Sequence, residues 1–225
     1  MIRTIYSTLI FALTLSLAAC GEKPRQTESQ IEATNNEKFM PQPAKKKDGP
    51  KTVVILSSSP RRGGNSETLC LQFKKGAEEA GHKVEMININ DYYIRYFDQQ
   101  EYDRAASSAE TDDAADIIAK MKEADVIVLS SPVYFYNMTA QLKALIDRTY
   151  GHEKDLKYKE FFYISTSTDR DDESTDGVFE AFHGFARCLY GSVERGIIRG
   201  NGARNRGDID SHPAMEQAYE MGKGV

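Results

Sequence analysis

Residues Lys51–Leu71 read KTVVILSSSPRRGGNSETLCL, and this stretch organises the rest of the chain. Its apolar run, Val53–Leu56, predicts a short buried strand. A polar turn follows, and a helical pattern begins at Ser66. The turn is rich in hydroxyl, amide and guanidinium groups, and Gly63 and Gly64 let its backbone fold back. The stretch therefore predicts a strand, a hydrogen-bonding turn and a helix in immediate succession.

The turn between that strand and that helix is a candidate anion site. The first amide groups of a helix have no intrahelical acceptors, and the helix dipole is positive at the same end. Hydroxyls and arginines that precede such a helix suit a phosphate group. The same residues also fit an ordinary strand-to-helix turn, because Ser, Gly and Asn are frequent in turns. Both interpretations are open at this point.

Composition excludes several classes of protein. The 225 residues carry 29 basic and 34 acidic side chains, for a formal net charge of -5. A mildly acidic chain without a basic block gives no reason to propose a nucleic acid partner. The three cysteines, Cys20, Cys70 and Cys188, form no CxxC pair, which argues against a zinc ribbon and a dense disulfide framework. Hydrophobic residues make up 40% of the chain, enough for one packed core.

Residues 1–50 are predicted to lie outside the folded domain. Residues 1–19 combine a basic start with an apolar run too short to span a membrane, which is typical of a signal peptide. The run ends in LAAC (Leu17–Cys20), which resembles the lipobox of bacterial lipoproteins and implies export to a membrane with a lipid on Cys20. An ordinary secretory signal with an incidental cysteine is the alternative. Residues 20–50 are polar and contain prolines, so we predict a flexible tether that leads into a domain at 51–225.

Strands and helices alternate along residues 51–225. After the first strand, hydrophobic periodicity predicts strands at 83–89, 124–130, 160–166 and 194–199, and helices at 66–80, 112–122, 139–150, 178–190 and 213–221. Residues 90–104 are rich in aromatic side chains without a clean period, and residues 167–177 are predicted to form an acidic turn. Alternation of this kind implies a parallel sheet covered on both faces. We predict a three-layer, doubly wound α/β fold, with five parallel strands in the flavodoxin-like order 2-1-3-4-5.

Two loops of that fold form the predicted ligand site. In doubly wound sheets, ligands lie at the carboxyl ends of the strands, where the strand order reverses. Here that position falls between the loop at residues 57–66 and the loop SPVYFYN at Ser131–Asn137. Tyr134, Phe135 and Tyr136 of the second loop suit stacking on a planar ring, although packing against the next helix is the alternative. Together the loops predict a ligand with a phosphate at one end and a flat ring at the other.

Both loops resemble those of a known family. SSSPRRGGNSETL is similar to the FMN phosphate loop of the NAD(P)H-dependent FMN reductases and iron–sulfur flavoproteins, and ADVIVLSSPVYFYNMTAQLKALIDR to their isoalloxazine loop. The resemblance runs from about Lys51 to Lys223 and implies a flavodoxin-like fold that binds FMN non-covalently. It implies phosphate contacts from Ser59, Arg61, Asn65 and Ser66. It implies ring contacts from Pro132, Val133, Tyr134, Phe135 and Asn137, and a far edge of the ring bordered by residues 165–168, in particular Ser165 and Thr166.

The chain departs from this family at one place. In the iron–sulfur members, the segment after the second strand carries a cysteine cluster, whereas residues 90–104 contain no cysteine. Cys70 and Cys188 lie on predicted helices, and the 4 histidines show no ligand spacing. We therefore predict no iron–sulfur centre and no metal site. The aromatic residues of the segment would cap the flavin, pack on a partner subunit, or form a small core of their own.

The resemblance implies an FMN-dependent oxidoreductase. Electrons would pass from NAD(P)H or another donor to a quinone, a flavin or a similar small acceptor, and FMN would carry the chemistry, so no side chain is predicted to be catalytic. The alternatives are a flavodoxin-type electron carrier and a non-catalytic binding domain with a decayed flavin site. Many relatives pair their subunits so that a neighbour covers the flavin, and from this resemblance we expect a homodimer.

Overall fold

The computed structural model describes residues 49–103 and 112–225; the predicted signal peptide, Cys20 and most of the predicted tether lie outside these ranges. Its strands are β1 (Thr52–Ser57), β2 (Lys83–Asn88), β3 (Val126–Pro132), β4 (Glu160–Ser167) and β5 (Val193–Asn201). All neighbouring strands pair in parallel, in the order β2-β1-β3-β4-β5. The predicted doubly wound, flavodoxin-like sheet is confirmed.

Helices cover both faces of the sheet. They are α1 (Asn65–Glu79), α2 (Gln99–Asp103), α3 (Ala114–Glu123), α4 (Ala140–Arg148), α5 (Glu173–Arg187) and α6 (Ala214–Lys223). Buried side chains of α1 and α6 pack on one face, and those of α3, α4 and α5 on the other. The three-layer arrangement is therefore as predicted. Within the described ranges, no helix combines the length and the apolar character that crossing a membrane requires.

The apolar side chains of β1 are buried in two hydrophobic cores, one on each face of the sheet. Val53 and Ile55 belong to the cluster that contains α1 and α6, whereas Val54 and Leu56 belong to the cluster on the opposite face. All four are at most 1% exposed. A strand buried on both faces needs an apolar side chain at every position, because successive side chains point to opposite faces. This explains why β1 reads as a continuous apolar run instead of an alternating one.

The predicted acidic turn at residues 167–177 is wrong in its second half, because α5 begins at Glu173. Glu173 and Asp176 occupy the first turn of the helix, where negative charge is favoured by the helix dipole. Asp171 Oδ1 accepts a hydrogen bond from Ser174 N at 3.0 Å just before that turn. Glu173 and Asp176 of the acidic run therefore lie in the helix, whereas Asp169, Asp171 and Asp172 precede it in the exposed turn.

The aromatic segment after β2 contains a short 3₁₀ turn, Ile89–Asp91, and the helix α2. The rings of Phe97, Tyr102 and Tyr150 pack against one another, with centroid separations of 5.9, 5.3 and 5.1 Å. Phe97 and Tyr102 of this segment thus pack with Tyr150, which follows α4, whereas Tyr93 and Tyr96 are exposed.

A buried ion network closes the amino edge of the sheet, opposite the carboxyl ends of the strands. Lys51, which is 2% exposed, donates from Nζ to Glu160 Oε1 at 2.8 Å. Arg195 Nε donates to Glu160 Oε2 at the same distance of 2.8 Å. The backbone N–H of Lys51 also donates to His82 Nδ1 at 3.1 Å. The chain is thus held in the fold at the residue that precedes β1.

Candidate functional site

The carboxyl ends of β1, β3, β4 and β5 surround one cleft with about 460 Å³ of empty space, part of it open to solvent. The loop after β1 contributes four of the predicted phosphate contacts to its wall: Ser59, Arg61, Asn65 and Ser66. The loop after β3 contributes Pro132, Val133 and Tyr134, and the end of β4 contributes residues 166–168. The structure therefore brings most of the predicted site residues into one cavity.

The turn after β1 is folded tightly just before α1. Arg61 N donates to Ser59 Oγ at 3.3 Å, and Gly64 N donates to Arg61 O at 3.0 Å. A Cβ at Gly64 would lie 2.8 Å from Arg61 O, so only glycine fits this position without a shift of the backbone. Gly64 is also the N-cap residue, and no described side chain caps α1. The first amide groups of α1 are therefore available to an acceptor in the cleft.

Two buried polar atoms at the start of α1 also have no partner among the described residues: Asn65 Oδ1 and Ser66 Oγ. Asn65 is 8% exposed and Ser66 is 1% exposed. Leaving a buried hydroxyl unpaired costs about 1–3 kcal/mol, which a ligand that accepts its hydrogen bond would recover. Ser66 and the uncapped amide groups together form a donor set suited to a phosphate.

The side-chain amide of Asn65 holds the loop after β5. Its Nδ2 donates to Ala203 O at 3.0 Å and to Asn205 O at 2.9 Å, in the loop after β5. Both hydrogens of this group are therefore used, and two carbonyl acceptors fix the orientation of the amide. Asn65 lies on the wall of the cleft, but its side chain has no donor left for an anion.

Positive charge is concentrated on this wall. Within the described part of the chain, Arg61 and Arg204 are the only charged side chains that line the cleft, and neither forms an ion pair there. The adjacent Arg62 differs, because its guanidinium is paired with Asp91 and lies 3.8 Å from Glu67. The choice of Arg61 over Arg62 for the predicted phosphate contact thus agrees with the charge pairing.

The loop after β3 forms a tight two-residue turn. Tyr134 N donates to Asn137 O at 2.9 Å, and Asn137 N donates to Tyr134 O at 3.1 Å. The two central residues, Phe135 and Tyr136, have φ angles of 51° and 59°. Turns of this kind favour Asn-Gly, because positive φ strains other residues. Two aromatic residues held in a strained turn beside a cleft suggest a functional reason for keeping them.

Helix α5 packs against this turn. A Cβ at Gly177 would lie only 2.0 Å from Tyr136 O, so the first turns of α5 approach the aromatic turn through a glycine. Tyr134 is on the wall of the cleft, whereas Phe135 is fully exposed at the tip of the turn. The turn therefore presents the ring of Tyr134 to the cleft and leaves the ring of Phe135 in solvent.

Three predicted contacts do not line the cleft: Phe135, Asn137 and Ser165. Asn137 closes the turn just described, and Ser165 is fully buried with an unpaired hydroxyl. The cleft also contains residues that the sequence predictions did not include, namely Ala203 and Arg204 of the loop after β5. The available signal was the sequence GNGARNRGD, which is rich in glycine and arginine and follows the last strand at the same edge of the sheet.

Cys70, in α1, is not a reactive thiol. Burial raises the pKa of the Cys70 thiol to about 12, so this cysteine stays protonated and acts as the predicted small core residue. Among residues 49–103 and 112–225, no group of three or more His, Cys, Asp or Glu side chains is positioned to hold a metal ion.

Comparison with known proteins gives consistent matches. The family model described as NADPH-dependent FMN reductase matches residues 51–183. An iron–sulfur flavoprotein of Archaeoglobus fulgidus is 37% identical over 112 residues, which cover 48% of this chain and 50% of the relative. An FMN-dependent NADH:quinone oxidoreductase of Bordetella parapertussis is 32% identical over 108 residues, covering 43% of this chain and 52% of the relative. This chain thus spans about half the length of these curated relatives.

Among solved structures, an NAD(P)H:quinone oxidoreductase from Methanothermobacter marburgensis is similar with a TM-score of 0.63. The sequence identity is 20%, and the match covers 78% of this chain and 97% of that one. At this level of identity the likeness establishes the shared fold.

Proposed function

The chain belongs to the NADPH-dependent FMN reductase family, and on this basis we propose that its cleft binds FMN and that the protein is an FMN-dependent oxidoreductase. The observation that carries the proposal is the cleft itself. A buried, unpaired Ser66 hydroxyl and an uncapped helix lie on the wall that follows β1, and Tyr134 of the aromatic turn lies on the wall that follows β3. This arrangement fits a phosphate joined to a flat ring.

The phosphate end would hold its anion through several donors. Ser59 and Ser66 offer hydroxyls, the first turn of α1 offers amide groups, and Arg61 offers a guanidinium. Fixed donors of this kind bind a phosphate without having to reorganise, because the tight turn around Gly64 already holds them in place.

The ring end would exclude water from one side of the flavin. Pro132 and Val133 form an apolar wall, and Tyr134 offers an aromatic face. Val133 N donates to Thr166 O at 2.9 Å, which locks the loop after β3 to the end of β4. The ring would therefore rest on a rigid part of the sheet edge.

FMN, when bound, supplies the electron-transfer chemistry. The described lining of the cleft contains no carboxylate, histidine, lysine or cysteine. The protein's part is therefore to bind, to orient and to admit two substrates in turn. We propose NAD(P)H or another reduced donor as the first and a quinone, a flavin or a similar small molecule as the second.

The test uses the purified full chain. A flavin absorption band that survives gel filtration after incubation with FMN, together with consumption of NAD(P)H in the presence of a soluble quinone, supports the proposal. A protein that binds FMN without turnover would instead be an electron carrier, and one that stays colourless would overturn the proposal. Ser66→Ala is expected to weaken FMN binding about five- to tenfold, because one hydrogen bond to the phosphate is lost. Ser192→Ala, just before β5 at the amino edge of the sheet, removes a hydroxyl outside the cleft and is the control.

We also propose that the protein is an exported lipoprotein anchored to a membrane through Cys20, and that it forms a homodimer. The LAAC sequence and the polar segment 20–50 support the first proposal, and the resemblance to paired relatives supports the second. Cys20→Ala should abolish labelling with a radioactive fatty acid and move the protein to the soluble fraction. Sedimentation of the detergent-solubilised chain distinguishes a dimer from a monomer.

A further inference from the structure

We propose that the loop after β5, Gly202–Arg206, lines the phosphate site together with the loop after β1 and the start of α1. In this proposal Arg204 binds the phosphate together with Arg61. This inference rests on the proposed binding of FMN. We refer to the segment Gly202–Arg206 as the β5 loop. The resemblance to the FMN reductases, from which the flavin contacts were predicted, assigns no role to this loop.

The β5 loop is bound directly to the residues that form the start of the phosphate site. Asn65 Nδ2 donates to Ala203 O and to Asn205 O, at 3.0 and 2.9 Å. Arg61 Nη1 donates to Arg204 O at 3.1 Å. The acceptors are three consecutive carbonyl groups of the loop, so its backbone is held along the phosphate site over its whole central part.

The charge of Arg204 is left available by these contacts. The nearest carboxylate in sequence, Asp208, accepts hydrogen bonds from the backbone N–H groups of Arg204 and Asn205, at 3.0 and 2.7 Å. Asp208 therefore stabilises the backbone of the β5 loop and does not pair with the Arg204 guanidinium. Arg204 has no ion-pair partner in the described part of the chain, although it lines the cleft.

The number of cations matches the charge of the expected ligand. A phosphate monoester carries close to two negative charges at neutral pH, because its second pKa is about 6. Arg61 alone supplies one positive charge at the cleft, and Arg204 supplies a second. Both arginines line the cleft, one after β1 and one after β5, and Arg61 Nη1 donates to Arg204 O. Together they would neutralise the phosphate.

Asn65 is a positioning residue in this arrangement. Both hydrogens of its amide are used to hold the β5 loop, so its effect on the phosphate passes through Arg204. The residue's place in the phosphate motif is then explained by a contact across the sheet edge, from the start of α1 to the loop after β5.

The first experiment measures the dissociation constants of FMN and riboflavin for the full chain after removal of bound flavin. In Arg204→Gln, the FMN constant is expected to rise about tenfold, because a charge-assisted hydrogen bond is lost. The riboflavin constant should change less than about twofold, since riboflavin lacks the phosphate. Arg204→Lys keeps the charge and should give an intermediate effect. Arg187→Gln is the matched control, because Arg187 is exposed in the last turn of α5 and should leave both constants unchanged.

The second experiment tests the positioning role of Asn65 by a double-mutant cycle. Asn65→Ala should itself weaken FMN binding. If Asn65 acts through the β5 loop, Arg204→Gln should weaken FMN binding much less in the Asn65→Ala background than in the wild type. We expect less than about a third of the binding free energy that Arg204→Gln costs in the wild type, because the guanidinium is already displaced. Fully additive effects would show that Asn65 does not act through Arg204.

The outcomes separate this inference from the proposed function. A wild-type chain that binds neither FMN nor riboflavin would overturn both. If the wild type binds FMN and Arg204→Gln leaves its affinity unchanged, the flavin site is supported and the role of Arg204 in binding the phosphate is rejected. Equal losses of FMN and riboflavin in Arg204→Gln would also reject it, because the effect would then not depend on the phosphate.

Discussion

Phe135 and Tyr136 show at the residue scale how a site can keep a locally unfavourable conformation. Each residue in a left-handed conformation costs about 1 kcal/mol or more relative to a residue that tolerates positive φ. The turn would be more stable with Asn-Gly, the pair that two-residue turns of this type favour. The turn places Tyr134 on the wall of the cleft and leaves Phe135 exposed beside it in the sequence, which is the gain that we associate with the strained conformation.

We predict that Phe135→Asn combined with Tyr136→Gly stabilises the domain by about 1–2 kcal/mol while it weakens flavin binding. FMN and riboflavin should be affected alike, since the change lies at the ring end. Urea unfolding and flavin titration measure the two effects. A loss of stability would contradict the strain argument, and an unchanged flavin affinity would remove the aromatic turn from the site.

Glu160 is the residue on which the buried ion network of the amino edge depends. Burial alone would raise the pKa of this carboxyl group, but hydrogen bonds from Lys51 and Arg195 outweigh burial and hold its pKa below the ordinary value of 4.5. A carboxyl group with a lowered pKa in the folded state stabilises the fold above its unfolded pKa, and this contribution is lost as the pH falls through the folded value.

We predict that the free energy of unfolding of the wild type decreases as the pH falls below the ordinary carboxyl value of 4.5. Glu160→Gln should cost about 3 kcal/mol or more at neutral pH, because the buried ammonium of Lys51 loses its partner. The variant should also show a weaker dependence on pH below that value. Urea unfolding at several pH values is the measurement, with the exposed Glu123→Gln as the control. An unaltered pH dependence in Glu160→Gln would count against the network.

At the scale of the elements, α1 and α6 cross at two glycines. A Cβ at Gly76 would lie 2.1 Å from Tyr219 O, and a Cβ at Gly222 would lie 2.1 Å from Phe73 O. The two helix backbones are therefore in direct contact on one face of the sheet. Since α1 also carries the proposed phosphate site at its start, this crossing fixes the position of the helix that would bind the anion.

We predict that Gly76→Ala destabilises the protein by about 2 kcal/mol or more, because the added methyl group forces the two helices apart. Gly184→Ala in α5 is the matched control, since no atom lies within 4 Å of its added Cβ. That control should stabilise the protein by about 0.5–1 kcal/mol through helix propensity. Urea unfolding of both variants tests the crossing, and equal effects of the two substitutions would contradict it.

The order of elements could be predicted from the sequence, and the start of α5 could not. Runs such as that of β1 are apolar at every position, so their strands and the parallel sheet follow from the pattern alone. Residues 167–177 are acidic and polar, which is equally typical of a loop and of a helix start near Glu173. Only the packing of α5 on the sheet decides between them.

The same limit applies to the candidate site. Ser59, Arg61 and Ser66 are close together in the sequence, so a local motif predicts their convergence. Arg204 reaches the cleft from the far end of the chain, and its carbonyl group meets Arg61 through the order of the strands. Ser165, also predicted from its strand end, is fully buried and does not line the cleft.

At the scale of the whole molecule, the cleft is shared by four of the five strands, so a ligand in it would connect loops that are distant in the sequence. Any ligand that binds the folded state and not the unfolded state raises the free energy of unfolding of the entire cooperative unit.

We predict that FMN at a hundred times its dissociation constant raises the free energy of unfolding by about 2.7 kcal/mol. Riboflavin at the same concentration should raise it less, because it lacks the phosphate and binds more weakly. Thermal or urea unfolding with each ligand measures the difference. An equal effect of the two flavins would contradict a phosphate site at the start of α1, and no effect of either would contradict a flavin site.

The ion network around Lys51 also fixes the edge of the sheet at which the chain enters the domain. The chain enters the fold at Lys51, on the amino edge of the sheet, whereas the cleft opens at the carboxyl edge. A label or fusion partner joined to the chain just before Lys51 would therefore emerge at the edge opposite the cleft and would leave the cleft open to a ligand.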